Sequence, residues 1–227
     1  MRRMLCPGGK DVHHLRKEFL RFAHRRRRRL RLVRRRKTRN ERQAAAGRAQ
    51  KGCFEMIYEF EGRKPQIDSS AYVSPNATVI GDVRIGKNVW VGPGAVLRGD
   101  YGTIEIGDES CIEDNCVCHA RQGQKCIVGK RATVGHGAIL HTCTVKDFAV
   151  IGMGAIVSDW AAVGEWAIIG EGAVVKRNQE VPDGKIAVGI PAQIIGDVTD
   201  EHKKDFLEYK KIYAGLASRY PKGLKIL

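Results

Sequence analysis

The stretch from Ala149 to Val175 reads AVIGMG AIVSDW AAVGEW AIIGEG AVV, and its period of six decides the fold. Each unit opens on alanine, places a branched apolar residue two positions later, and passes into a glycine or polar turn. Working outward, the same beat appears as Ile85-Gly86, Val91-Gly92, Leu97-Arg98, Ile106-Gly107, Ile112-Glu113, Val128-Gly129, Val134-Gly135 and Leu140-His141. The series runs from about Ala71 to Val188. No unit of this length can bury its own apolar side, so the units must stack as a parallel β-helix. Three short strands close one triangular coil of about eighteen residues. The branched residue points inward, and Ala77, Ala95, Ala132, Ala138, Ala149, Ala155, Ala161, Ala167 and Ala173 supply the small residue a narrow interior needs. A β-sandwich would instead require hairpin signals between alternating strands.

Two insertions break the period. Tyr101-Gly102-Thr103 adds three residues between the Leu97 and Ile106 positions, and Arg121 to Lys125 adds four between Cys118 and Val128. Loops set into a regular solenoid commonly carry its binding function. After Gly189-Ile190-Pro191-Ala192 the period stops, and Asp200 to about Tyr220 reads as a helix with Phe206, Tyr209, Tyr213 and Leu216 as its apolar stripe. Its expected role is to pack along the solenoid. Three segments result: a basic extension over 1–55, a β-helix domain over 56–197 and a C-terminal helix over 198–220.

The formal charge of +15 first suggests nucleic acid. Residues 1–55 hold 20 Lys+Arg against 4 Asp+Glu, whereas residues 56–227 hold 20 against 21. The whole excess therefore sits in the first segment, around Arg25 to Arg29 and Arg34 to Lys37. Like charges at this density repel, and Leu30, Leu32 and Val33 cannot build a core. Three readings stay open for it: a phosphate-contacting arm, an Arg-rich targeting extension, or upstream sequence dispensable to the folded protein. Met56-Ile57-Tyr58-Glu59-Phe60 reads as a first strand. No apolar run approaches the 18 or so residues of a membrane span, and no secretory signal is present. Seven cysteines without a C-x-x-C pair point to free thiols and a cytoplasmic protein.

His119, His136 and His141 lie close together in the chain, across the second insertion. The interval from His119 to His141 is one coil plus the inserted four, so the two share a face one coil apart. The interval from Arg98 to His119 is one coil plus the inserted three, which stacks Arg98 over His119. His136 belongs to the preceding face, and a three-fold assembly would bring it to the other two from a neighbouring chain. Three imidazoles with one open position are what catalytic zinc uses, where it lowers the pKa of bound water to about 7. Three unrelated turn histidines are the bland alternative. Cys118 points inward and is expected to be structural, as are Cys111, Cys116, Cys126 and Cys143, although Cys143 could add a sulfur near the site. Arg98 could pair with Asp100 or Asp114, or bind a carboxylate or bicarbonate.

Leu97-Arg98-Gly99-Asp100, Ile112-Glu113-Asp114-Asn115 and Gly135-His136-Gly137-Ala138-Ile139-Leu140-His141-Thr142-Cys143 together resemble the gamma-class carbonic anhydrases and their carnitine- and phenylacetate-operon relatives. Gly189-Ile190-Pro191-Ala192 and the trailing helix match as well, so the resemblance spans about residues 56 to 220. It implies a left-handed β-helix, a homotrimer, and zinc (with iron or cobalt as substitutes) on His119, His136 and His141. It further implies an interfacial ion pair of Arg98 with Asp100, and Asp114 near the metal water. Glu113 stands where the family often has glutamine and could orient or deprotonate that water. The loop Ala120-Arg121-Gln122-Gly123-Gln124-Lys125 lacks the carboxylate that shuttles protons in the family prototype.

Three functions compete on these residues. Reversible carbon dioxide hydration to bicarbonate comes first, with Glu113, Asp114 and Arg98 as the catalytic set. Metal-assisted acyl or thioester chemistry in the same pocket is second. A non-catalytic trimeric scaffold is third, associated with nucleic acid if the basic arm is genuine. An ordinary hexapeptide acyltransferase ranks lower, because it would leave two of the three histidines unexplained.

Overall fold

A computed structural model describes residues 56–225, and the basic segment 1–55 lies outside them. The described chain is a parallel β-helix of three faces, closed along one side by a helix. Its first face stacks seven parallel strands, from Tyr72–Val73 to Lys185–Val188. The second and third faces form one continuous sheet, because Thr78–Ile85 and Val96–Ile106 bend across the corner between them. That bend needs two glycines in contact. Gly81 has φ +75°, and a Cβ on it would lie 2.2 Å from the Gly99 carbonyl oxygen.

Register between coils sorts every residue into a column. Val73, Val91, Ile112, Val134, Ile151 and Ile169 pair in one inward column, and Val79, Leu97, Cys118, Leu140, Val157 and Val175 in the next. All of these, and the nine alanines named above, are buried in one core cluster. Removing so much apolar surface from water, at about 25 cal/mol per Å², is what offsets the entropy of ordering strands only two or three residues long. The first strand is shorter than expected. Only Ile57–Tyr58 pairs, with Val79 and Ile80, leaving Tyr58 and Phe60 exposed.

The outward columns differ from face to face. On the first, Tyr72, Trp90 and Cys111 are covered by the helix Asp200–Gly223 through Tyr213, Leu216, Ala217 and Tyr220. On the third, the column Gln66, Arg84, Glu105, Ile127, Thr144, Ala162 and Glu180 is largely polar. On the second it is Thr78 followed by Val96, Val117, Ile139, Ile156 and Val174, an apolar strip, half-buried apart from the exposed Ile139, that no element among the described residues covers.

The helix runs three residues past the expected end, through Pro221, and starts at a capping box of Thr199 and His202. Its buried stripe is rotated from the expected one. Tyr209 is exposed at 61%, whereas Lys210 is buried at 4%. The lysine turns inward because its ammonium finds two acceptors, Thr133 Oγ1 at 3.0 Å and the Ala149 carbonyl at 3.4 Å. Tyr213 and Tyr220 meet Trp90 with ring centroids 5.5 Å apart in each case. No described helix is long and apolar enough to cross a membrane.

Burial lowers the Lys210 pKa from 10.5 to about 8, against the opposing pull of Cys111 and Glu113. Below about pH 8 the ammonium is charged in both folded and unfolded chains, and its burial cost is constant. Between about 8 and 10.5 the folded lysine is already neutral while the unfolded one still holds its proton, so stability rises with pH. Relative to Lys210→Met, the wild type should gain roughly 3 kcal/mol at most across that window. Denaturant unfolding at a series of pH values reads this out, and parallel curves for the two proteins would contradict it.

Candidate metal centre

The corner leaving the second face carries the site. Arg98, His119 and His141 occupy one outward column in successive coils, paired Arg98 to His119 and His119 to His141. The two inserted loops have kept the register that six-residue units set. The loops also tie to each other: the Gly123 N–H donates to the Tyr101 carbonyl at 3.0 Å, and the Thr103 N–H to the Gln124 carbonyl at 2.9 Å. Tyr101 lays its ring edge-on against His119, with centroids 5.0 Å apart.

His119 Nδ1 and His141 Nε2 face each other at 3.0 Å. Each ring's far nitrogen meets a carboxylate. His119 Nε2 is 3.1 Å from Asp100 Oδ1, and His141 Nδ1 is 2.6 Å from Asp159 Oδ1. Burial raises the Asp100 pKa, but hydrogen bonds from Arg98 and His119 outweigh it and hold the group below its ordinary value. Asp159 is held far below the carboxylate range, first by Arg121 and then, against burial, by His141. Both aspartates are therefore ionised acceptors, and each draws the hydrogen onto the far nitrogen of its histidine. With the hydrogens so placed, the two near nitrogens would present lone pairs to each other. Neutral rings cannot satisfy that arrangement; a cation between them can. Two nitrogens about 2.0–2.1 Å from one tetrahedral zinc stand about 3.3 Å apart, close to the separation found. A carboxylate behind each ligating imidazole is also the usual support for such a site. Burial, partly opposed by Asp100, lowers the His119 pKa, which favours the neutral ring a metal needs.

His136 lies at the other end of the second face, in the turn entering the strand Ile139–His141. Its Nε2 is 3.0 Å from Glu113 Oε2 and its Nδ1 is 3.3 Å from Asp114 Oδ2. Its backbone N–H also donates to Glu113 Oε2, at 3.2 Å. Glu113 is buried, whereas His136 and Asp114 are exposed at 43% and 40%. Among the described residues of one chain, no three His, Cys, Asp or Glu side chains converge to hold a metal ion. One chain thus brings together Arg98, Asp100, His119 and His141 at one corner, and Glu113, Asp114 and His136 at the other. Arg98 and Asp100 pair within the chain.

No family model matches the chain. It is 39% identical over 171 residues to the carnitine operon protein CaiE of Salmonella newport, covering 74% of this chain and 84% of that protein. It is 36% identical over 164 residues to gamma carbonic anhydrase 1, mitochondrial, of Arabidopsis thaliana, covering 70% of this chain. The chain belongs to the family of CaiE and the gamma-class carbonic anhydrases. It spans 60% of the length of that Arabidopsis relative. Among solved structures, a hexapeptide transferase family protein from Anaplasma phagocytophilum superposes with a TM-score of 0.70 at 37% identity, covering 73% of this chain and 98% of that one. The N-acyltransferase AntD from Bacillus cereus shares the fold alone, with a TM-score of 0.55 at 19% identity.

Asp159 and Tyr101 are site residues that sequence reasoning missed. Asp159 lies one residue past the position that the ladder stacks on His141, because Leu140 pairs with Val157 across a coil one residue short, so strand register points to Ser158 instead. Thr142 sits between His141 and the core with φ +47°, a strained conformation for a β-branched residue, and its hydroxyl accepts the Arg121 N–H at 2.9 Å. Cys143, expected to be structural although it could have added a sulfur near the site, is buried in the core with Cys118 and Cys126.

Gly102 holds the inserted loops together by close approach. A Cβ there would lie 2.6 Å from both the Ala120 Cβ and the Arg121 carbonyl oxygen. Gly102→Ala should part the loops and lower stability by about 1–3 kcal/mol, measurable by thermal unfolding. An unchanged midpoint would mean that the loops tolerate separation.

Proposed function

We propose that this chain forms a homotrimer with three zinc centres that catalyse the reversible hydration of carbon dioxide to bicarbonate. In each centre His119 and His141 come from one chain and His136 from the next. The observation that carries this reading is the pair of imidazole nitrogens facing each other at 3.0 Å, each ring's far nitrogen backed by an aspartate. The bare apolar strip Val96, Val117, Ile139, Ile156 and Val174 supports the assembly, since it lies between the two corners whose histidines must meet. Packing these strips around a three-fold axis buries them and brings one chain's His136 corner to its neighbour's His119 corner.

Zinc held by His119, His141 and the neighbour's His136 would supply the acidity that lets a bound water lose a proton near neutral pH. The chain does the rest. Asp100 and Asp159 keep the far nitrogens of His119 and His141 protonated and the near ones bare. Glu113, arriving with His136 on the neighbouring chain, accepts the water's proton on its carboxylate. Asp114 is more exposed and passes that proton to solvent, a role the loop at Arg121 to Lys125 cannot fill for want of a carboxylate. Arg98, one coil above His119, offers its guanidinium to the bicarbonate anion. Iron or cobalt could replace zinc on the same three nitrogens. The five buried free thiols among the described residues suit a reducing compartment, and the Arabidopsis relatives are named mitochondrial.

Metal-assisted acyl or thioester hydrolysis is the second reading. The transferase relatives favour it, as does the cationic loop of Arg121 and Lys125, which suits an anionic substrate.

Metal analysis after anaerobic purification, followed by stopped-flow hydration of carbon dioxide, tests the first reading. It expects about one metal ion per chain and a loss of at least about 100-fold in kcat/KM for His119→Ala. Protein free of metal would overturn both metal readings, and metal without hydration would favour acyl chemistry. Ile139, exposed at 39% in the middle of the strip, tests the assembly. Ile139→Asp should yield monomers in analytical ultracentrifugation, and a persisting trimer would place the interface elsewhere.

A further inference from the structure

The geometry points to an outer clamp, Arg121 and Asp159, that fixes His141 as its Nδ1–H tautomer and aims Nε2 at the metal position. The short basic loop thereby becomes a determinant of metal affinity, a consequence that rests on the metal centre proposed above.

Two Arg–Asp–His relays approach one point from opposite sides. In one, Arg98 holds Asp100, which accepts from His119 Nε2. In the other, Arg121 Nη2 lies 2.7 Å from Asp159 Oδ2, while Asp159 Oδ1 lies 2.6 Å from His141 Nδ1. The two relays select opposite tautomers, and that leaves Nδ1 of His119 and Nε2 of His141 bare toward each other. Without the second relay, His141 would be free to put its hydrogen on Nε2 and donate it to His119, which closes the metal position.

The second relay is built from three separate coils, and each part is pinned. The Asn178 N–H donates to the Asp159 carbonyl at 3.0 Å, which fixes the aspartate's turn from below. The Arg121 N–H donates to Thr142 Oγ1, and its guanidinium stands 5.5 Å from the centre of the Trp160 ring. The Asp159 side chain is only 13% exposed and that of Arg121 is 52% exposed. An ion pair with one partner so open to solvent contributes little to folding. Its main effect is therefore on the histidine it orients, and removing an orienting partner of a metal ligand typically weakens metal binding about 10–100-fold. The loop that lacks the prototype's carboxylate acts on the site through this arginine.

Nitrogen-15 spectra of histidine-labelled, metal-free protein at about pH 8.5, where free imidazole is neutral, test the clamp directly. They should show His141 protonated at Nδ1 and bare at Nε2. Competition with a chromophoric chelator should then show zinc affinity lower by about 10–100-fold in Asp159→Asn, lower by less in Arg121→Gln, and partly restored in Arg121→Lys. Midpoints of thermal unfolding should stay near that of the wild type for both Arg121 variants, which separates positioning from folding. A His141 hydrogen on Nε2 in the wild type would overturn the clamp, as would wild-type zinc affinity in Asp159→Asn. A wild type that binds no zinc would instead count against the metal centre, with the nitrogen spectra still judging the clamp.

Discussion

Parallel hydrogen bonding between coils fixes which side chains share a column, and most of the molecule follows from that register. A strand of two residues has almost no stability of its own. It persists because each inward branched residue sits on its equivalent in the coils above and below. The same ladder that stacks Leu97, Cys118 and Leu140 inside must stack Arg98, His119 and His141 outside, one residue further along. An insertion is tolerated only at a corner, where it can bulge without shifting the strands on either side. Both loops do so, and their mutual hydrogen bonds turn two interruptions into one wall beside His119.

The same register gives three unlike outer faces. Aromatic residues on the first receive the helix, polar residues on the third suit solvent, and the branched residues of the second stand bare. His136 enters that second face and His119 and His141 leave it, so a single strip separates the two halves of the candidate site. Within a chain the halves cannot meet, since the strand between them is rigid. Between chains they meet if the strip is what the copies share.

Much of this was legible from spacing. The inward residues and the nine alanines could be read from the period of six, and the Arg98, His119 and His141 column from intervals of one coil plus each insertion. What could not be read depends on side chains reaching across coils or elements. The helix was recognisable, yet its inward face was misplaced, because apolar spacing favours Tyr209 while the acceptors at Thr133 and Ala149 draw Lys210 inward. Asp159 carries no motif in the sequence, and only its oxygen 2.6 Å from His141 Nδ1 shows its role. Asp100 was expected to pair with Arg98, but its second oxygen proved to be the support of His119. Turn residues with positive φ show a similar gap. Asn88, Asn115 and Asn178 are ordinary choices there, whereas Phe148, Trp160 and Trp166 are held in that conformation by the ladder against their own preference.

If each metal site is shared, His119 and His141 come from one chain and His136 from its neighbour. Coexpression of His119→Ala chains with His136→Ala chains tests this most directly, with tight zinc content read on the purified mixed trimers. A shared site predicts that neither variant alone binds zinc tightly. Random mixing in equal amounts should then restore tight zinc at about a quarter of the sites, those where an intact His119–His141 chain meets an intact His136 neighbour. Mixed trimers with no restored zinc, or His136→Ala trimers that bind it as the wild type does, would contradict the account.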